Sequence, residues 1–360
     1  MRVAIFPVDD DSAASARIRA YTLQRSLIDL GHDVRLGDAT EADILLIQKK
    51  ATPRIIELAA RAREAGALVV YDADDLHPSL WNVVAPTVLH RLLPLVDVVT
   101  TDTFERRAIL LRDYGASAVE VVPDAVDYYP TGPVRPTVSN DGPLRLLWFG
   151  NPARIELFAR LAEPLIAIPE VEVVVATHRS AIPPLAARFP RVTFVPWSRE
   201  GFVSTLQSCS LTVLSHDGTE SDRAKSNNRM ITSITWGVPS VVSRTPEYER
   251  TAIEAGVGDT VFSTVEEMVA IVMRLRSAEA RAAYLDAAQP EIWRRYSPHA
   301  VARTFLDVVA HASRNPQASP VQRFLPWLGR ASRGDRTPAL LREARHRLRR
   351  LAPPKERVGR

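Results

Sequence analysis

Two stretches of strand–helix alternation, separated by one proline-rich break, constrain this chain more than any other feature. Short runs of apolar and β-branched residues at 3–8, 33–36, 44–48, 68–71, 96–101 and 119–122 read as strands. Helix-period segments at 13–30, 53–65, 85–93 and 104–114 separate them. Such alternation is the pattern of α/β folds with parallel sheets, in which each helix carries the chain back for the next strand. Gly31 follows the first helical segment, where a C-terminal glycine cap belongs. Between 123 and 143 stand Pro123, Pro130, Pro133, Pro136 and Pro143, with Gly132 and Gly142. No regular element tolerates that spacing, so the stretch reads as a linker. The alternation then restarts, with strands expected at 144–149, 171–176, 192–196, 211–215, 240–243 and 260–262. Helices are expected at 154–168, 183–188, 202–208, 229–236, 247–255 and 265–276, and a further helical stretch runs from 277 to about 312. The expectation is an α/β protein of two doubly wound domains, 1–135 and 136–288, then a closing segment 289–312 and a tail 313–360. Ligands of such folds sit at the carboxyl ends of the strands, often in the cleft between domains.

Charge narrows the function classes. The net charge of +4 over 360 residues is unevenly placed. Residues 314–360 carry 13 basic and 3 acidic side chains, whereas the rest carries 33 and 39. An acidic body argues against a nucleic-acid-binding core, and the basic tail reads as a separate attachment element. Cys209 is the only cysteine, which excludes an internal disulfide and any cysteine-cluster metal site; it reads as a small buried apolar residue. The first residues lack the layout of a secretion signal, and no apolar run reaches the roughly 20 residues of a membrane span. A cytoplasmic protein is expected.

Four loops gather the side chains that can do chemistry. The first, 9–19, follows the first strand and opens the first helix. Ser12 or Ser15 is placed to cap that helix, its amides favour an anion, and Arg17 and Arg19 could add bidentate contacts. The plainer reading is capping, with Asp9, Asp10 and Asp11 complementing the helix dipole. The loop has no G-x-G-x-x-G fingerprint, which disfavours a dinucleotide-binding oxidoreductase. The second loop holds Asp72, Asp74, Asp75 and His77 at the end of a strand. Carboxylates so close together call for a partner: a divalent ion, sugar hydroxyls, or a proton to be taken as general base. The alternative is a solvated loop that caps a helix. In the third, Gly150 lets a ligand approach the backbone, Asn151 can cap, Pro152 suits a first helical turn and Arg154 follows at the helix start. The fourth runs from His216 through Glu220 to Arg229, and Gly237 and Pro239 precede the next strand. Lys225 and Arg229 are four apart and fit one anion, with Asn227 or Asn228 capping the helix between loop and core.

In this order the segments resemble the GT-B glycosyltransferases, nearest the group 1, family 4-like sugar-nucleotide transferases. The resemblance rests on Ser15-Ala16-Arg17-Ile18-Arg19-Ala20, Leu30-Gly31-His32-Asp33-Val34 and Val121-Val122-Pro123-Asp124-Ala125-Val126-Asp127. In the second half it continues in Leu147-Trp148-Phe149-Gly150-Asn151, Lys225-Ser226-Asn227-Asn228-Arg229 and Gly237-Val238-Pro239-Ser240-Val241-Val242-Ser243. Tyr296-Ser297 with the following helix matches a closing segment that crosses back to the first half. The match covers roughly 1–312 and implies two Rossmann-like domains facing a central cleft. By resemblance the second domain binds a nucleotide-diphosphate sugar. Gly150, Asn151, Arg154, Trp197, Ser198, Lys225, Asn227, Asn228 and Arg229 would form the donor site, and the three cations would neutralise the departing diphosphate. The first domain would hold a glycan, glycolipid or small-molecule hydroxyl, with Ser15, Arg17 and Arg19 on the acceptor side and Asp72, Asp74, Asp75 or His77 near the reacting oxygen. The family implies no metal and no further cofactor. One departure stands out: many retaining members carry two glutamates in the fourth loop and helix, where this chain has Ala224 and Thr232, so Glu220 is the only glutamate nearby. That absence raises the alternative of a catalytically silent binding or scaffold protein.

The tail carries Phe324, Leu325, Trp327 and Leu328, then Leu341, Ala344, Leu348 and Leu351 on one helical face among Arg342, Arg345, Arg347, Arg349 and Arg350. A basic amphipathic helix behind an aromatic anchor fits the anionic inner face of a membrane; a disordered solvated tail is the alternative. The expected partners are a nucleotide sugar, a glycan or lipid-linked acceptor and that membrane surface, and no nucleic acid.

Overall fold

A computed structural model describes residues 1–37, 41–74, 89, 91–113, 116, 118–136 and 142–314. The helix expected at 85–93 lies mostly outside these residues, and the tail beyond Arg314 lies outside them, as do Asp75 and His77.

The first half is one parallel six-stranded sheet of order β2-β1-β3-β4-β5-β6. Its strands are β1 (Arg2–Phe6), β2 (Asp33–Leu36), β3 (Ile44–Gln48), β4 (Leu68–Asp72), β5 (Val98–Thr101) and β6 (Val119–Val121). The second half is another, of order β12-β11-β10-β7-β8-β9. It consists of β7 (Leu144–Phe149), β8 (Val171–Thr177), β9 (Val192–Pro196), β10 (Leu211–Leu214), β11 (Ser240–Ser243) and β12 (Val261–Phe262). Among the described residues the strand pairings are parallel, as in the register Val3–Ile44 and Trp148–Val175. The strands are therefore close to where their apolar runs place them.

Helices cover both sheets. In chain order the first half has α1 (14–29), α2 (Pro53–Glu64) and α3 (Phe104–Asp113). The second has α4 (Ile155–Ala167), α5 (Ile182–Arg188), α6 (Phe202–Gln207), α7 (Glu220–Arg223), α8 (Asn228–Thr235), α9 (Pro246–Glu254), α10 (Val265–Arg274) and α11 (Ala278–Tyr296). The last helix is α12 (Pro298–Arg314). Helix α1 contains a wider π turn at Arg17–Tyr21 and ends at Gly31, whose φ of +86° suits a residue without a Cβ. Its start differs from expectation: neither Ser12 nor Ser15 caps it, since Ala13 is the N-cap and the Ser12 hydroxyl donates to Asp10. Elsewhere Thr52 and Thr245 cap α2 and α9, each with proline at the first helical position, and Thr264 with Glu267 forms a capping box on α10.

The single helical stretch expected from 277 divides at Ser297–Pro298. Helix α11 packs on α8 of the second half, whereas α12 crosses to α1 of the first. Val301, Ala302, Phe305 and Val309 join Val3, Ile5, Leu46 and Val70 in one core. A second core, with Leu45, Ile47, Val69 and Tyr71, lies on the sheet's opposite face, as the two-residue period of strands requires. The described residues of the linker form no regular element, yet they are tied down. Val126 N–H donates to the Tyr296 carbonyl (2.9 Å) and Val134 N–H to that of Thr235 (2.7 Å). Gly237 (φ +84°) lies under it, and a Cβ there would meet the Val134 carbonyl oxygen at 2.7 Å.

Candidate functional site

The second sheet changes direction between β7 and β10, so the loops after these strands open away from each other and leave a crevice at their carboxyl ends. Gly150 lines one wall. A Cβ there would sit 2.9 Å from the Trp148 ring, so only glycine fits without repacking. Arg229, in the first turn of α8, spans the crevice floor. Its guanidinium donates to the Phe149 carbonyl (3.1 Å), the Ser215 carbonyl (3.4 Å) and His216 Nε2 (2.9 Å). His216 Nδ1 faces the carboxylate of the fully buried Asp222 at 3.4 Å, which also pairs with Arg154. Burial, assisted by the Arg229 charge, lowers the His216 pKa to about 4. The ring is therefore neutral near pH 7, and its partners assign the proton to Nδ1. Burial disfavours ionised Asp222, but the nearby His216 ring, the hydrogen bond from the Asp217 amide and the Arg154 charge outweigh this and hold the carboxyl below its ordinary range. Arg154 is offset by the one buried carboxylate, whereas Arg229 holds only neutral groups, so its charge leaves this crevice electropositive.

The other donor-side candidates surround it. Lys225 follows α7, and its amide donates to the Asp222 carbonyl (3.1 Å). Asn227 is the N-cap residue of α8 by position, but its side chain donates to Thr251 (2.8 Å) and forms no cap. Asn228 does not cap either; it donates to the Ala125 carbonyl (2.8 Å) in the linker. Asn151 is exposed at the crevice rim, and Pro152 opens a short turn ahead of α4. Trp197, 37% exposed, and Ser198, which accepts from the Gly201 amide, lie just beyond β9. Glu220 sits apart on the surface, its side chain 72% exposed and paired with Arg112 of the first half (2.8 Å).

The rim of the first sheet is built differently. Arg17 and Arg19 do not face an open anion site. Arg17 forms a two-pronged pair with Asp127 of the linker (2.8 and 2.7 Å). Arg19 does the same with Asp72 (2.7 and 2.6 Å) and also donates to Asp124 (3.0 Å) and the Val122 carbonyl (2.9 Å). The π turn lets both arginines, two residues apart, turn inward. Asp72 further accepts from the Thr100 hydroxyl (2.7 Å), so it is a structural carboxylate with its oxygens engaged. Ser15 contributes its carbonyl, which accepts from Gln48 (2.9 Å).

Asp74 differs from Asp72. One oxygen pairs with Lys49 (3.1 Å), and the other is buried with no hydrogen-bond partner. Burial raises its pKa, with Lys49 acting in the opposite sense. Lys49 has φ +55°, an uncommon backbone state for a side-chain-bearing residue, at the carboxyl end of β3. Sequence reading passed over Lys49 and Gln48; their only local signal is position, at the end of β3 and just after it, beside the first sheet's own switch point. Among the described residues no group of three or more His, Cys, Asp or Glu side chains is arranged to hold a metal ion, and no helix is long and apolar enough to cross a membrane.

The comparisons bear on this arrangement. No family model matches the chain, and no curated protein matches it by sequence. Solved structures do match. HepE from Anabaena, in complex with UDP, is similar at a TM-score of 0.63 and 11% identity, over 86% of this chain and 100% of that one. The same protein with UDP and glucose gives 0.60 and 13%, over 86% and 99%. The O-GlcNAc transferase of Thermobaculum terrenum gives 0.58 and 12%, over 88% of this chain and 68% of its own. The chain has the GT-B fold: two Rossmann-like α/β domains, with a last helix crossing back to the first.

Proposed function

We propose that this protein is a glycosyltransferase that moves a sugar from a nucleotide-diphosphate sugar to a hydroxyl-bearing glycan, glycolipid or small molecule. The carrying observation is the electropositive crevice at the switch point of the second sheet, where Arg229 and Arg154 lie beside the Gly150 backbone and the loop ending in Lys225 runs into α8. The start of α8 adds its dipole, and a diphosphate bound there would have its developing charge met as the sugar bond breaks. The UDP complexes of the similar structures support the same choice of ligand. In this reading Trp197 and Ser198 lie on the nucleoside side, and Gly150 and Asn151 near the phosphates. The acceptor approaches from the first half, where Asp74, with its unpartnered oxygen, is the group suited to receive the hydroxyl proton. Asp75 and His77, next in sequence, remain candidates for the same task. The donor is a substrate, and the reading assigns neither metal nor cofactor. We place the enzyme in the cytoplasm, with residues 313–360 holding it to an anionic membrane surface.

Thermal unfolding with UDP, GDP and ADP tests the donor site. At about a hundredfold excess over Kd the fitting nucleotide should raise Tm by about 5–10 °C. Lys225→Ala and Arg229→Ala should each abolish most of that rise. No response to any nucleotide diphosphate would sink the reading. A second reading, a silent binding protein, is favoured by Ala224 and Thr232 standing where a glutamate pair is common. Thr232 is instead engaged by the Asp127 amide (3.1 Å). Release of nucleotide diphosphate from donor sugar, with and without acceptor, separates the two.

A further inference from the structure

We infer that the start of α3, in the first half, holds the Lys225 loop of the second half in place, with Arg106 and Thr103 as positioning residues. Its geometry stands alone; its consequence for binding rests on the donor site proposed above. Three donors from one helical turn reach across the domain boundary. The Thr103 hydroxyl (3.2 Å) and the Arg106 guanidinium (2.6 Å) both donate to the Ala224 carbonyl. The Phe104 amide donates to Glu247 (3.3 Å) on α9. Thr103 is fully buried, Arg106 is 5% exposed and Glu247 is 2% exposed, so water does not replace these bonds.

Each end of the contact is braced. Asp102 holds Arg106 through its Nε (2.6 Å), and Arg250 pairs with Glu247 while lying over the Phe104 ring at 5.2 Å. Ala224 is the C-terminal cap residue of α7, and its carbonyl would otherwise be one of the orphan acceptors of a helix end. The peptide it belongs to is planar, so fixing this oxygen fixes the plane of the Lys225 amide, which donates to the Asp222 carbonyl. A residue of one half thus sets the backbone that carries Lys225, which the donor-site reading assigns to the diphosphate, in the other. The short polar contacts at Asp11–Arg199 (2.7 Å) and Arg112–Glu220 do not compare, because they are partly or largely exposed.

Hydrogen exchange of the full chain without ligand gives the direct test. Thr103→Val removes one donor with little change of shape, together with the acceptor that the same hydroxyl offers the Arg106 amide (3.1 Å). The pair Arg106→Met with Asp102→Asn removes the other without leaving a lone buried carboxylate. Amides of 220–229 should exchange about tenfold faster in each variant, with the strands of both sheets unchanged. Equilibrium binding of UDP should weaken by about tenfold, with Arg106→Lys intermediate. Unchanged exchange at 220–229 in Thr103→Val overturns the inference, even if the paired variant fails to fold. If exchange rises but the parent protein binds no nucleotide, the positioning stands and the donor-site reading fails.

Discussion

The two halves share an architecture but place their charges in opposite ways. The first half buries them as matched pairs: Arg17 with Asp127, Arg19 with Asp72 and Asp124, Lys49 with Asp74, Arg106 with Asp102. Its apolar core is split by the sheet, and one side is completed by α12 from the far end of the chain. The second half has one continuous apolar core; at its crevice Arg154 pairs with buried Asp222, while Arg229 holds only neutral groups, the Phe149 and Ser215 carbonyls and His216. One rim is neutralised from within; the other keeps positive charge to offer. A parallel sheet's carboxyl end is therefore not a binding site by topology alone. The side chains decide whether its field is consumed by the fold or left for a ligand.

Removing one arginine from each half is the sharpest test of that contrast. Arg19→Ala leaves two buried carboxylates without their partner and should cost about 3–5 kcal/mol in urea denaturation. Arg154→Ala leaves Asp222 with His216 and the Asp217 amide, and its site is a third exposed, so about 1–2 kcal/mol is expected. Equal losses would break the comparison. The acid limb sharpens it. His216 has its pKa lowered from 6.5 to about 4, so between those values the unfolded chain takes up a proton that the folded one refuses. Stability should fall as pH drops from about 6.5 to 4, by roughly 3 kcal/mol in all, and His216→Asn should flatten that part of the profile. The smallest effect belongs to Glu220→Gln, an exposed pair worth within about 0.5 kcal/mol. A larger loss would give the surface contact a weight denied to it above.

The strands and most helices were legible because their information is local: a run such as 44–48 or 144–149 is apolar whatever surrounds it. Gly31 and the proline-rich linker were legible for the same reason. What escaped depends on partners far along the chain. Arg17 and Arg19 look like anion ligands beside a helix start, and nothing nearby reveals that Asp127, 110 residues away, and Asp72, 53 away, already hold them. Asn227 has the right type for a cap, but Thr251 on another helix claims its side chain. Asp102, Thr103 and Arg106 carry no motif at all; only folding brings them to Ala224. In the crevice, Gly150, Arg154 and Arg229 were found because they lie at strand–helix junctions, whereas His216 and Asp222 acquire their coupling only when α7 folds back against β10.

The chain passes between the halves twice, once through the linker and once at Ser297–Pro298, and these passages touch where Val126 meets the Tyr296 carbonyl. Two crossings fastened at one spot act like a pair of hinge pins set close together. They oppose sliding and separation of the halves there, so a swing about that spot is the motion left for the buried bonds of Thr103 and Arg106 to Ala224 to resist. Any such swing is smallest beside Asn228, which is bonded to Ala125 next to the pins, and grows toward parts of the cleft farther out. A molecule entering from the open side would work with a lever whose fulcrum lies at the back of the cleft.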